Sequence, residues 1–115
     1  MPADCLFCRI VAGEIPSTKV DEDDTVLAIR DINPQAPTHI LLMSKAHIAS
    51  AQELGKTDAG LLGAIFAMSA DLADREGVAA NGYRVVTNVG HDGGQSVDHL
   101  HFHLLGGRRF TWPPG

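Results

Sequence analysis

Basic residues are few and scattered in this chain. Its 115 residues include 9 lysines and arginines against 14 aspartates and glutamates, a formal net charge of −5 at pH 7. Arg108-Arg109 is the one adjacent basic pair. Nucleic acid is held largely by neutralising phosphates with a basic patch, so no nucleic-acid partner is expected. If the chain holds a phosphate, backbone N–H groups and histidines must do much of the holding. Long apolar runs are missing too. Nothing approaches the ~20 residues of a membrane span, so no membrane partner is expected. Met1-Pro2-Ala3-Asp4 has neither a basic n-region nor an apolar h-region, and the expected location is the cytoplasm. Cysteine is limited to Cys5 and Cys8, which do not make a disulfide framework.

What is present fits a soluble globular protein. Hydrophobic residues make up 44% and charged residues 20%. The length suits one domain over residues 1–115. A core of this size is modest, and a dimer interface or a bound metal would help it.

The chain shows no internal repeat. Residues 5–12 read as a short helix: Asp4 can cap it, Leu6, Phe7, Ile10 and Val11 form an apolar face, and Gly13 can end it. Strands are expected at 19–21 and 26–29, joined by the turn Glu22-Asp23-Asp24 as a hairpin. Pro34 and Pro37 stiffen the loop at 33–37. Residues 39–43 are an apolar run suited to a central strand. A short helix is expected at 49–54 and a long one at 58–76. Leu61, Leu62, Ile65, Phe66, Met68 and Leu72 fall on one side of the long helix, and Gly77 suits its C-cap. A strand at 83–87, a glycine-rich loop at 88–95, a last strand at 97–105 and an irregular tail at 106–115 complete the order. That order predicts an α+β domain with a mostly antiparallel sheet and its helices on one side.

The last strand carries His99-Leu100-His101-Phe102-His103. Alternate residues of a strand share a face, so the three histidines point one way while Leu100, Phe102 and Leu104 point to the core. His39 opens another expected strand and joins the cluster if the two are neighbours. Neutral imidazole is a nucleophile near neutral pH: one nitrogen attacks while the other donates its proton to a fixed acceptor. Neighbouring histidines then serve as hydrogen-bond partners or cations. Two other readings stay open for the triplet alone, a metal site and a row of exposed polar positions. The loop before it, Gly90-His91-Asp92-Gly93-Gly94-Gln95-Ser96, favours chemistry. Its glycines let backbone N–H groups approach an anion, and Ser96 adds a hydroxyl. An ordinary Asp-Gly hairpin connection would explain part of that loop.

These residues resemble the histidine-triad (HIT) superfamily, in particular its Hint branch. The signature of three histidines alternating with apolar residues is met in full by residues 99–105. Similarity extends to Asp31-Ile32-Asn33-Pro34-Gln35-Ala36-Pro37-Thr38-His39, to Gly93-Gly94-Gln95-Ser96-Val97, and to Gly106-Gly107-Arg108 with the ending Trp112-Pro113-Pro114-Gly115. The resemblance implies a HIT-like α+β fold. Each subunit has a mostly antiparallel five-stranded sheet with one long and one or two short helices, and the sheet continues across a homodimer. It implies hydrolysis of purine nucleoside 5′-phosphoramidates, with an AMP- or GMP-type nucleotide as ligand. By motif position His101 is the nucleophile, with His99, His103, Ser96 and His39 assisting. Asp31 binds the ribose hydroxyls, Ile10, Ile29 and Ile32 flank the base with Phe7 nearby, and Asn88, Gly94, Ser96 and His103 surround the α-phosphate. Trp112 lies near the leaving group, from the partner subunit in one arrangement. Taken singly, Asp31 reads equally as a turn former and Trp112 as a tail anchor.

His103 stands where the nucleotidyltransferase branch has Gln, which favours water as the final acceptor and hence a hydrolase. Asp98 departs from the family, which usually has a bulky apolar or aromatic residue there. Cys5-Leu6-Phe7-Cys8 has metal-ligand spacing; it also reads as two small buried residues, and as a redox motif it lacks the preceding strand. The resemblance implies structural zinc on Cys5, Cys8, His47 and His99, a closed site that catalysis does not require. Two other functions stay open: a nucleotide-binding interaction module with incidental hydrolysis, and a metalloprotein using the triplet itself.

Overall fold

The computed structural model describes residues 4–115. Met1-Pro2-Ala3, read above for a leader, lies outside the described residues. Helix α1 spans Leu6–Val11, strand β1 Lys19–Glu22, β2 Val26–Arg30 and β3 Thr38–Ser44. Two 3₁₀ turns follow, Ala51–Glu53 and Lys56–Asp58, then helix α2, Ala59–Arg75, and strands β4, Tyr83–Val86, and β5, His101–Gly106. The strands form one five-stranded sheet in the order β1-β2-β3-β5-β4, each pair antiparallel. Glu22 belongs to β1 rather than the turn. There Asp23 accepts hydrogen bonds from the backbone N–H groups of Thr25 and Val26. The short helix expected at 49–54 is a single 3₁₀ turn.

Register decides where each helix sits. Leu27 pairs with Met43 and Met43 with His101; Ile29 pairs with Leu41 and Leu41 with His103. Residues paired across antiparallel strands share a face, so His101 and His103 stand on the face of Leu27, Ile29, Leu41 and Met43. Phe7 and Ile10 of α1 cluster with those four side chains. The opposite face carries Val26, Ala28, Ile40, Leu42, Phe102 and Leu104, which pack with Ile65, Met68 and Leu72 of α2. The helices therefore lie on opposite faces, not on one side as the element order suggested. The continuous burial of β2 from Val26 to Ile29 follows, because a strand covered on both faces has no polar side.

Two local details also differ from expectation. The cap of α1 is Cys5, whose Sγ accepts from the Cys8 N–H at 3.4 Å, rather than Asp4. Phe66, assigned to the buried side of α2, is 52% exposed, while Ser69 is buried and donates to the Ile65 carbonyl. Among the described residues, no helix is long and apolar enough to cross a membrane.

Candidate active site

Strand β5 starts at His101, not at residue 97. Its neighbour β3 ends at Ser44, and the Leu100 N–H is taken by the Ile48 carbonyl at 2.6 Å, so residues 97–99 have no strand beside them to pair with. The chain bends at this point, and the His99 N–H bonds the Val97 carbonyl. That bend separates the three histidines. His99, fully buried, joins Cys5, Cys8 and His47, whereas His101 and His103 stay on the sheet.

Hydrogen bonds assign the imidazole tautomers. His101 Nδ1 lies 2.6 Å from the His99 carbonyl oxygen. A carbonyl only accepts, so Nδ1 carries the proton and Nε2 keeps a bare lone pair. The ring is 4% exposed and meets the edge of Phe7 at 4.9 Å between centroids. The Thr87 hydroxyl donates to the His101 carbonyl at 2.8 Å. For His39, the Gln35 backbone N–H donates to Nδ1 at 3.0 Å, so the proton sits on Nε2. That Nε2 lies 2.9 Å from His103 Nδ1, which must accept and leaves His103 its N–H at Nε2. One Asp31 carboxylate oxygen is 3.4 Å from His39 Nε2, and the other accepts from the Asn33 N–H at 2.8 Å.

Asp31, His39 and His103 are close enough together to suggest a metal. A neutral His39 whose Nδ1 already accepts an N–H has no second lone pair to offer, so the set is a hydrogen-bonded chain. Burial pushes His103 down to about 4, with His101 and then His39 adding to the effect and Asp31 opposing it. Burial also lowers His39, again against Asp31. These rings are therefore neutral at pH 7, and what they supply is hydrogen-bond dipoles rather than cations.

A pH dependence follows. The folded chain keeps His103 neutral to about pH 4, while an unfolded chain protonates it near 6.5. Between those values the unfolded state binds more protons, so stability falls as pH drops through the window; His39 acts with the same sign. Urea midpoints should decline from about pH 7 to about pH 5, and less steeply in His103→Gln. Equal slopes in the two proteins would refute the assignment.

Beside this row lies a cavity of about 160 Å³ lined by Phe7, Ile10, Ile29, Asp31, Ile32 and Leu41, among others. Its walls are apolar and Asp31 supplies a carboxylate. A larger cavity of about 500 Å³, between Gly77 and Arg109, is lined by none of the histidines. Other expected site residues are not gathered at the apolar cavity. Ser96 is exposed and lines a separate cavity with Cys5, His47 and Asp98. Asn88 is half-buried after β4, and Trp112 is 83% exposed. The glycine loop uses some of its donors internally: the Gly94 N–H bonds the His91 carbonyl and the Gln95 N–H the Gly90 carbonyl. Gly93 is required there, since a Cβ would sit 2.3 Å from the Val89 carbonyl oxygen.

The second cluster fits a tetrahedral metal. Cys5 Sγ and Cys8 Sγ lie 3.4 and 3.5 Å from His99 Nδ1, and Cys8 Sγ lies 3.2 Å from His47 Nδ1. Zinc with bonds of about 2.3 Å to sulfur and about 2.0 Å to nitrogen spaces its ligands by roughly 3.5 Å. His99 Nε2 donates to the Ser44 carbonyl at 2.6 Å, which turns the Nδ1 lone pair to the thiols. Ser44, Thr87 and the Gln35 amide thus orient the histidines, and sequence reading missed all three. Two of them act through backbone atoms, for which residue type carries no signal.

Comparison with known proteins identifies the family and the fold. Residues 12–110 match the family model of the HIT domain. The chain is 44% identical to the purine nucleoside phosphoramidase of Escherichia coli (strain K12) over 108 residues, 94% of this chain and 91% of that protein. It is 50% identical to a 14 kDa zinc-binding protein of Zea mays, covering 96% of this chain and 87% of that one. The crystal structure of a HIT family hydrolase from Legionella pneumophila Philadelphia 1 superposes with a TM-score of 0.95 at 54% identity, over 97% of this chain and 100% of that chain. With matches of this extent and identity, the chain belongs to the HIT domain family.

Proposed function

We propose that the protein hydrolyses purine nucleoside 5′-phosphoramidates through a nucleotidyl-histidine intermediate on His101. The observation that carries this reading is the 2.6 Å bond from His101 Nδ1 to the His99 carbonyl, which leaves Nε2 as a buried lone pair. In the first step Nε2 attacks phosphorus and the P–N bond breaks. The leaving nitrogen takes its proton from water, directly or through the Ser96 hydroxyl, while His103 keeps its Nε2–H. In the second step water attacks the same phosphorus and loses a proton that replaces the one given to the amine, the P–His101 bond breaks with its electron pair returning to Nε2, and a nucleoside monophosphate departs. His103 Nε2–H donates to a phosphoryl oxygen, aided by Asn88 and by Gly94 once its N–H leaves the His91 carbonyl, and His39 supports His103. The apolar cavity takes the base between Phe7, Ile10, Ile29 and Ile32, and Asp31 accepts from the ribose hydroxyls.

Two features support a homodimer. Strand β4 is an edge of the sheet, and Phe66 leaves half of a large aromatic open on α2. Pairing β4 with a second copy would give a ten-stranded sheet and place Trp112 near the partner's leaving group. Cys5, Cys8, His47 and His99 would hold zinc, which supplies a structural cross-link between α1 and the approach to β5.

A panel of 5′-phosphoramidates varying base and leaving amine tests the reading. Purine substrates should exceed pyrimidine ones in kcat/KM by about tenfold or more, since the larger ring buries more apolar area. Negligible turnover across the panel, with tight nucleotide binding, would favour the interaction module instead.

A further inference from the structure

The loop at 33–37 fixes the tautomer of His39, and through it that of His103, yet Asn33, Pro34, Gln35 and Pro37 are exposed. Asp31 accepts from the Asn33 N–H within the loop, and the far end of the chain adds a second hold. Arg108 Nε donates to the Gln35 carbonyl at 3.0 Å. Its guanidinium stacks on the Phe110 ring at 4.3 Å, and Arg84 lies 5.2 Å from the same ring. Gly107, at φ +90°, lies flat against Pro37, where a Cβ would come within 2.9 Å of the proline ring. Residue 35 is thus gripped on both of its peptide units: its carbonyl by Arg108, its N–H by His39.

We propose that Arg108 is a positioning residue that holds the Gln35 amide on His39 and so keeps the His103 Nε2–H directed at the phosphate. The proposal rests on the reading of His103 as the phosphate donor. If the Gln35 N–H drifts away, His39 Nδ1 is free to take the proton. His39 Nε2 then becomes an acceptor, and His103 must protonate Nδ1 to bond it. His103 Nε2 is left with a lone pair facing a phosphoryl oxygen, which repels instead of attracting. One exposed hydrogen bond, acting with the Asp31 carboxylate 3.4 Å from His39 Nε2, thereby biases two tautomers and the sign of a contact to substrate.

The test is nitrogen NMR on protein with ¹⁵N-labelled histidine, which reads the tautomer of each ring without substrate, together with kcat and KM. Wild-type His39 and His103 should both be Nε2–H. In Arg108→Ala the Nδ1–H population of both should rise by roughly tenfold, the weight of about one net hydrogen bond. kcat should fall by roughly tenfold with KM nearly unchanged, as when a supporting partner of a site residue is lost. Arg108→Lys, which can still donate, should recover part of both. Gly107→Ala displaces the same loop without removing a charge, and stays informative if Arg108→Ala does not fold. Wild-type tautomers retained in Arg108→Ala and Gly107→Ala overturn the proposal. So does a fall confined to KM. Because the spectra need no turnover, a wrong substrate assignment would leave the tautomer result standing.

Discussion

Replacing His101 by alanine should lower kcat for an adenosine 5′-phosphoramidate by at least about 10⁴-fold, while nucleoside monophosphate binding should change by no more than about threefold. The asymmetry comes from where His101 sits. Its ring is 4% exposed, locked by the His99 carbonyl and braced by Phe7, and only its Nε2 is left to act. Base and ribose are assigned to other side chains, those of the apolar cavity and Asp31. If His101 is the nucleophile, its loss would remove a bond made only along the reaction path, whereas losing a hydrogen-bond donor such as His103 should cost about 10²-fold. Steady-state kinetics and calorimetric titration with AMP on the same protein samples check the prediction. Turnover within about tenfold of wild type would remove His101 from the nucleophile's role.

Zinc should raise the melting temperature by about 10 °C or more, and the double substitution Cys5→Ser/Cys8→Ser should abolish the rise. A ligand that binds only the folded chain, present at about a thousand times its Kd, adds roughly 4 kcal/mol. Here it would join α1 to His47 and His99, segments that are far apart in sequence. Burial and the neighbouring Cys5 push the Cys8 thiol up to about 11. A metal must therefore displace a proton, and its affinity should increase with pH. Catalysis should persist after chelation within about threefold, because the closed cluster offers no open position to substrate. Metal and activity lost together would instead mark a catalytic metal.

Much of this site could be read from residue type and spacing. The alternation of Leu100, Phe102 and Leu104 with His101 and His103 places the first three in the core under α2 and the last two on the other face. Cys5, Cys8, His47 and His99 do assemble into one cluster. The order of α2 and the five strands was also legible, since each has turn residues around it, although β5 starts at His101 and not at residue 97. Other features depend on tertiary partners. The side of the sheet that α1 covers is set by Phe7 and Ile10 finding Leu41 and Met43, and no local pattern encodes that. His99 leaves the strand because the Ile48 carbonyl takes the next amide. Phe66 has a core-like position on a helical wheel yet remains half open on α2. The proton positions on the three histidines follow from the carbonyls of His99 and Ser44 and the amide of Gln35, groups that every residue carries.

The central claim is that phosphorus becomes bonded to His101, and a rapid acid-free quench during turnover of an adenosine 5′-phosphoramidate tests it most directly. Peptide mapping by mass spectrometry should find one adenylyl group per trapped chain, on His101 and on no other histidine, decaying as AMP forms. An adduct on His99 or His103, or turnover at full rate with no adduct at any time point, would contradict the account.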